Sequence, residues 1–419
     1  MNSAAGRAAS LFFAFAFTYF LSALLRAVTA TLAPVFSVEL GLRASDLGLL
    51  AGAYFLGFAG MQLPLGQALD RFGPRRTLLV LVSGAVIGCM AFAQATQLSG
   101  LIAARVLIGA GVGACLMAPL TLYRRQFSPA AQLRANSWML MTGSLGMVAS
   151  TLPVQWLLPS VGWRGLFWIV AALLAVGMAL VVWLVPADEQ RGLHRTGGSQ
   201  RGGEKGRDDG DGGYRSIVRH PLFVATAPLG FFLYGGMIAV QSLWAGPWLT
   251  RVALQSPAQA AQGLFGINLA MLMTFLIWGA LMPRLAARGV DALRLMAWGL
   301  PLALLGTAAN VALGAQAGAV WWALWCMACT FVSLSQPAVA AAFTPRQAGR
   351  ALSAFNLVIF SGVFCVQWGI GLAVDALRAV GWGEAAAFRV AFGVLGACCA
   401  AAYGWFLGRF GALTRQASA

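Results

Sequence analysis

Acidic side chains are scarce in this chain: Asp and Glu supply 12 of 419 residues against 28 Lys and Arg, and charged residues of both signs make up only 10%. With 60% hydrophobic residues and a mean hydropathy of +0.77, there is more apolar surface than one soluble core can hide. That excludes a soluble globular class and places the chain in a bilayer. Histidine is scarcer still. His194 and His220 both lie in or at the end of a polar central stretch, so Cys326-Met-Ala-Cys329, despite its metal-ligand spacing, gains no imidazole partner. All seven cysteines fall within apolar runs and read as packing residues. The net charge of +16 would suggest nucleic acid in a soluble protein, but these basic residues stand between apolar runs and not on aromatic-rich faces. The reading is therefore of a protein with no metal, no cofactor, no nucleic-acid partner and no enzymatic activity.

Long polar segments are also rare. One runs from 187 to 219 and contains Gly197-Gly-Ser-Gln-Arg-Gly-Gly and Asp208-Asp-Gly-Asp-Gly-Gly, too polar and glycine-rich to fold alone. What remains is apolar runs long enough to cross about 30 Å of hydrocarbon. Twelve are expected, at 10–36, 45–66, 76–97, 100–123, 134–158, 164–185, 220–247, 259–282, 292–313, 318–342, 350–373 and 387–409. The first is too long for a signal peptide and is followed at once by another span. The expected fold is an all-α integral membrane protein with two pseudo-symmetric six-helix bundles, 1–186 and 220–419, joined by a flexible linker at 187–219. Shifting the chain by 215 residues lays Tyr19 on Tyr234 and Gly48-Leu49 on Gly263-Leu264, as a repeat of this kind requires. Five arginines (Arg43, Arg164, Arg251, Arg378, Arg389) fall on one set of loops and twenty-one basic residues on the other. The positive-inside rule then places both termini and the linker in the cytoplasm, in a multi-pass arrangement across a bacterial-type inner membrane.

Between the second and third runs stands Gly66-Gln-Ala-Leu-Asp70-Arg71-Phe-Gly73-Pro-Arg75-Arg76. It resembles the helix 2–3 signature of the major facilitator superfamily, with Pro74 as a mild departure. The segment returns in worn form as Gly279-Ala-Leu-Met-Pro283-Arg284. Arg105-Val-Leu-Ile-Gly109-Ala-Gly111-Val-Gly113 is similar to the family's fourth-helix signature, and Gly162-Trp163-Arg164 with Phe167 to the junction entering its sixth helix. The full fifth-helix signature of drug/proton antiporters is missing, since Gly143, Gly146 and Pro153 are spaced differently. The resemblance implies a transporter that works by rocking two bundles. It also implies that Asp70, with Arg71, Arg75 and Arg76, gates one face by tying helix two to the start of helix eleven at Gly349-Arg350-Ala351.

Two arginines lie within the spanning runs. An arginine inside a membrane costs several kcal/mol unless it finds a partner or water. Arg26 lies about sixteen residues into its helix at about 1.5 Å per residue, so it reaches neither surface easily. Tyr19, Ser22 and Thr29 share its face at helical spacing, and that stripe is expected to line a water-filled cavity. Each of the twelve acids falls at a helix end or in a loop. Arg26 thus lacks a resident counter-charge, and its planar fork of donors suits an anionic cargo. The alternative is a guanidinium held by main-chain carbonyls. Arg105, nearer the end of its helix, has room to snorkel and reads as structural, gating or coupling.

The stretch Tyr19 to Arg26 with Pro34, Leu40-Gly-Leu and Ser45-Asp46-Leu47-Gly48 resembles the start of the organophosphate and related organic-anion transporters, in which the matching arginine contacts the substrate's anionic group. Their second arginine, on helix seven, is replaced here by Gly235, Gly236 and Gln241. One fixed cation implies a monoanion such as a carboxylate. The remaining candidate contacts are Tyr54 on helix two, Gln241 and Trp244 in stripe with Tyr234 on helix seven, Asn268 on helix eight, Gln336 on helix ten, and Asn356 and Gln367 on helix eleven. Gln62 on helix two is a further polar residue of this kind. Each of these polar groups is open to a second reading as an interhelical link. The expectation is a monomeric secondary transporter of a small anion; the alternatives are export of amphiphilic compounds through an aromatic-rich cavity, or a membrane ligand sensor that transports nothing.

Overall fold

The computed structural model describes residues 4–186 and 214–417, and within them every regular element is helical. Ten stretches are long and apolar enough to cross a membrane. One of them, Ala44–Gln94, is a 51-residue run broken only at Gly73 (φ 79°, ψ 164°). Glycine alone tolerates that backbone, and Pro74, fixed near helical φ, opens the next helix. Hence the polar segment is less of a loop than expected: residues 66–72 stay helical, and the reversal is made at one residue.

A second break, at Gly162 (φ 65°), divides Leu152–Leu184. Its first part continues Pro129–Ala149 across a kink at Ser150 and Thr151, and so supplies the remaining crossing. Pro153 cannot donate to this turn. The carbonyl of Ser150 is taken by the Thr31 hydroxyl of the first helix at 2.8 Å. The crossings are α1 (Ala4–Glu39), α2 (44–72), α3 (74–94), α4 (98–126), α5 (129–161), α6 (163–184), α7 (Pro221–Val252), α8 (Pro257–Ala287), α9 (Ala292–Leu313), α10 (Ala319–Ala341), α11 (Pro345–Ala379) and α12 (Glu384–Ala417). The twelve-crossing all-α architecture expected from the apolar runs is the one observed. Of the expected linker, 187–213 lies outside the described residues, whereas Tyr214–Arg219 is a short helix with Ile217 buried.

Helix α7 runs five residues past its expected end and carries three π-helical turns, at Leu229–Tyr234, Val240–Trp244 and Trp248–Val252. Two of them begin directly after Pro228 and Pro247. A proline has no N–H for the α-helical ladder, and widening the turn lets the neighbouring groups find partners without ending the helix.

Small residues let the helices approach closely, which is how helices associate when lipid removes the hydrophobic incentive. Gly57 on α2 and Gly109 on α4 each pack on the other's main chain, with no room for a Cβ. Across the halves, α2 lies along α11 and α1 along α7. At the end of the bundle carrying the loops 40–43 and 253–256, Gly48 sits on the Gln367 carbonyl, Gly371 on that of Ala44 and Gly246 on that of Ala30. A void there, between α1, α7 and α8, is about 10 Å³, room for one water at most. At the opposite end, which carries residues 66–76, Gly66, Gly279 and Gly349 meet nothing within 4 Å. The glycines among the described residues that pack on the other half, Gly48, Gly52, Gly246 and Gly371, all lie toward the first end, the shut one; the opposite end, where no described glycine makes such a contact, is the parted one.

Candidate functional site

Arg26 points between the halves, half-buried in a run of otherwise buried α1 residues. Its guanidinium lies over the Phe58 ring at 5.6 Å, among the hydroxyls of Tyr54 and Tyr19 from its own half and Tyr234 from the other. Tyr54 donates to the carbonyl of Ser22, one turn before Arg26, at 3.3 Å. Arg26 Nε has no hydrogen-bond partner, and none of the ion pairs among the described residues includes Arg26.

The acids explain that absence. Glu39 accepts from Trp163 Nε1 at 2.7 Å, Asp46 from the Arg43 amide at 3.0 Å, and Asp291 from the Arg294 amide at 2.7 Å. Asp375 accepts from the amides of Ala44 and Ser45, and Glu384 pairs with Arg251 at 2.8 Å. All are engaged at helix ends, as the sequence placed them. Asp188, Glu189, Glu204, Asp208, Asp209 and Asp211 lie outside the described residues.

Arg105 behaves differently from a snorkelling side chain. It is fully buried inside the first half, where Nη1 donates to the Leu25 carbonyl at 3.1 Å and Nη2 to the Thr29 hydroxyl. Its guanidinium lies over Tyr54 at 5.4 Å and Phe92 at 5.9 Å. Thr29, expected beside Arg26 on a wet stripe, is therefore turned to Arg105. The second arginine braces α1 and the Tyr54 ring behind the first.

From Tyr234 a chain of hydrogen bonds runs toward the parted end and returns to the first half. The Tyr234 hydroxyl donates to Gln336 Oε1 (3.4 Å), Gln336 Nε2 to Asn356 Oδ1 (2.6 Å), Asn356 Nδ2 to Gln62 Oε1 (3.5 Å), and Gln62 Nε2 to the Phe58 carbonyl (3.4 Å). Phe360 on α11 joins it, edge-on to Phe58 at 4.6 Å and stacked on Phe55 at 6.2 Å. These contacts span both halves at mid-depth.

Four of the expected contacts are elsewhere, in pairs nearer the shut end. Gln241 Nε2 donates to Asn268 Oδ1 at 2.9 Å, and Trp244 Nε1 to the Gln367 carbonyl at 3.1 Å, while Gln367 Nε2 donates to Ser242. Trp244 and Gln367 have no exposed surface. In this state the four are interhelical links, away from the opening. At the parted end Asp70 is exposed with no ion pair among the described residues, Arg71 lies over Phe72 and Arg75 donates to the Val182 carbonyl of α6 at 2.8 Å; Arg76 and Arg350 are exposed. Phe58 and Phe360 were not singled out from sequence, although Phe58 follows Tyr54 by one helical turn; nothing in the sequence marks Phe360.

A triacylglyceride transporter of Mycobacteroides abscessus is 32% identical over 139 residues, 32% of this chain and 27% of that one. The 4-hydroxybenzoate transporter PcaK of Acinetobacter baylyi is 29% identical over 157 residues, 37% of this chain and 34% of that one. The matched stretches span about a third of these relatives. The solved structure of a bacterial homologue of the human lysosomal transporter Spinster, inward-facing and unoccupied, superposes with a TM-score of 0.72 at 17% identity, covering 97% of this chain and 98% of that one. The Major Facilitator Superfamily model matches residues 15–367. With that match across most of the chain, and twelve crossings in two bundles closed around a mid-depth arginine, the protein belongs to the Major Facilitator Superfamily.

Proposed function

We propose that the protein is a secondary transporter that moves a small organic anion of monocarboxylate type across the inner membrane by rocker-switch alternating access. The observation that carries the reading is Arg26, a mid-depth guanidinium with no carboxylate partner among the described residues, partly buried between the two halves. Arg26, Tyr19 and Tyr54 would receive the anionic group from one half, while Gln336 and Asn356 present amides from the other. Gln241, Trp244, Asn268 and Gln367 join the site only if their present pairs open as the halves rock. A relative named as a transporter of 4-hydroxybenzoate, itself a monocarboxylate, supports this cargo class.

The domain reading of 1–186 and 220–419 as the rocking bodies, joined through 187–219, belongs to the same proposal. So do the monomeric state and cytoplasmic placement of both termini. On that orientation the parted end faces inward, and Asp70 would tie α2 to the start of α11 only when that face closes, with Arg71, Arg75, Arg76 and Arg350 around it. Arg105 serves by bracing α1. A thermal-shift screen of the purified protein against carboxylates, phosphate esters and nitrate, followed by counterflow of the stabilising compound in proteoliposomes, tests the reading. Stabilisation by carboxylates with counterflow is the expected result. Binding without counterflow would make the protein a sensor. Stabilisation by neutral amphiphiles alone would favour the second reading, lipid-like or drug-like export, which the Tyr54–Phe58–Phe360 aromatic lining and the triacylglyceride-transporter relative support.

A further inference from the structure

The helices that meet across the halves, α2 and α11, run antiparallel, α2 from the shut end to the parted end and α11 the other way. Each carries an acid near its final turns, Asp70 and Asp375. A carboxylate at a helix C-terminus is disfavoured by that helix's own dipole and needs a partner from outside. Asp375 has one: Oδ2 accepts the Ser45 amide at 2.8 Å and Oδ1 the Ala44 amide at 3.3 Å. These are unpaired donors of the first turn of α2, and the Arg43 side chain that precedes them makes no capping hydrogen bond. An acid of the second half therefore caps a helix of the first. Gly48 and Gly371 permit the approach, since a Cβ at either would strike the facing main chain. The nearby charges are otherwise occupied: Arg43 with Asp46 at 3.6 Å, and Arg251 and Arg378 with Glu384 at 2.8 and 3.9 Å.

We propose that Asp375 is the latch of the shut end and the counterpart of Asp70, each acid binding the N-terminus of the opposite helix in alternate states. The pair rests on the alternating-access reading above. Rocking that frees the α2 N-terminus from Asp375 brings the α11 N-terminus toward Asp70, so only one latch closes at a time. The cross-half bond from Arg251 Nη2 to Ser37 Oγ at 2.5 Å adds to the same closure.

Pulsed electron paramagnetic resonance on the full chain in lipid nanodiscs tests this, with Cys365 and Cys398 replaced by Ala. Spin labels at Val38 and Leu254, exposed on opposite halves at the shut end, read that face. Labels at Ser128 and Arg288 read the other. Asp375→Ala is expected to lengthen the first distance and shorten the second, shifting the ratio of the two states on the order of tenfold, the scale of losing charge-assisted hydrogen bonds. Asp375→Asn should do so more weakly, and Asp70→Ala together with Asp375→Ala should return the ratio toward that of the parent. Lengthening at the shut end with no change at the other would mean a local cap and overturn the proposal, as would no change at either. The labels report without cargo, so an error about the anion leaves the outcome unaffected. A second distance that appears with pH or ligand but not with Asp375→Ala would sink the latch and leave alternating access standing; a single distance under every condition would sink both.

Discussion

Arg26 and Arg105 both lie within the spanning region, and their surroundings predict opposite responses to the same substitution. Arg26→Met removes a charge that has no ion pair among the described residues and whose Nε has no partner there. No buried carboxylate is left behind, so folding stability should be unchanged or raised. What disappears is the donor fork offered to an anion. A hydrogen bond to a charged group contributes about 1.5–3 kcal/mol, and about 1.4 kcal/mol is tenfold in affinity, so binding should weaken roughly ten- to a hundredfold. Arg105→Met takes donors from the buried Leu25 carbonyl and Thr29 hydroxyl and the cation from two aromatic rings. Hydrogen bonds to a charged group contribute about 1.5–3 kcal/mol each, so this variant should melt several degrees lower. Scanning fluorimetry with and without the anion identified by screening reads both quantities on one sample. The reasoning is refuted if Arg26→Met binds every anion as the parent does, or if it melts as low as Arg105→Met.

Asp70→Asn should reduce flux several-fold at near-normal expression, because the exposed carboxylate makes no ion pair among the described residues in the parted state and its loss leaves that state intact; unchanged uptake in proteoliposomes would remove Asp70 from the cycle. Gly109→Ala drives a methyl into the Tyr54 main chain, an overpacking that costs about 1–3 kcal/mol; size-exclusion profiles and melting curves should show the loss, and a wild-type melting point would contradict the close α2–α4 contact. At the start of α7 the neutral His220 Nδ1 accepts the Leu222 amide at 3.3 Å, and burial holds the imidazole pKa below its ordinary value. A depressed histidine stabilises the folded form at high pH and stops doing so as the pH falls through its folded value. Amide protection in residues 222–224, taken relative to intrinsic exchange at each pH, should therefore fall below about pH 6.5 and lose that fall in His220→Asn.

The number of crossings, their order and the isolation of Arg26 were legible because each depends on composition along the chain: apolar length for the crossings, and the positions of twelve acids for the missing counter-charge. Helix ends were less legible wherever a proline sat inside a run. The expected span of α7 ended at 247, but a π-helical turn beginning after Pro247 absorbs the missing N–H and carries the helix to Val252. Thr29 was misread for a different reason. Helical spacing puts it on the face of Arg26, but a face is wide, and Arg105 approaches from α4 to take its hydroxyl. Partner choice among buried amides is still harder to read, since Gln241, Asn268, Gln336, Asn356 and Gln367 are chemically alike and sit on four helices. Only the tertiary register decides that Gln336 and Asn356 join Tyr234 and Gln62 near the opening, while Gln241 and Asn268 satisfy each other inside the second half. That register is itself a property of one state of the bundle. The Asn356–Gln62 bond crosses between the halves and must change if they rock, whereas Gln241–Asn268 and Gln367–Ser242 lie within the second half and can persist, so the amides that only tertiary register assigns divide into those that move with one body and the one whose partner depends on how the two bodies sit.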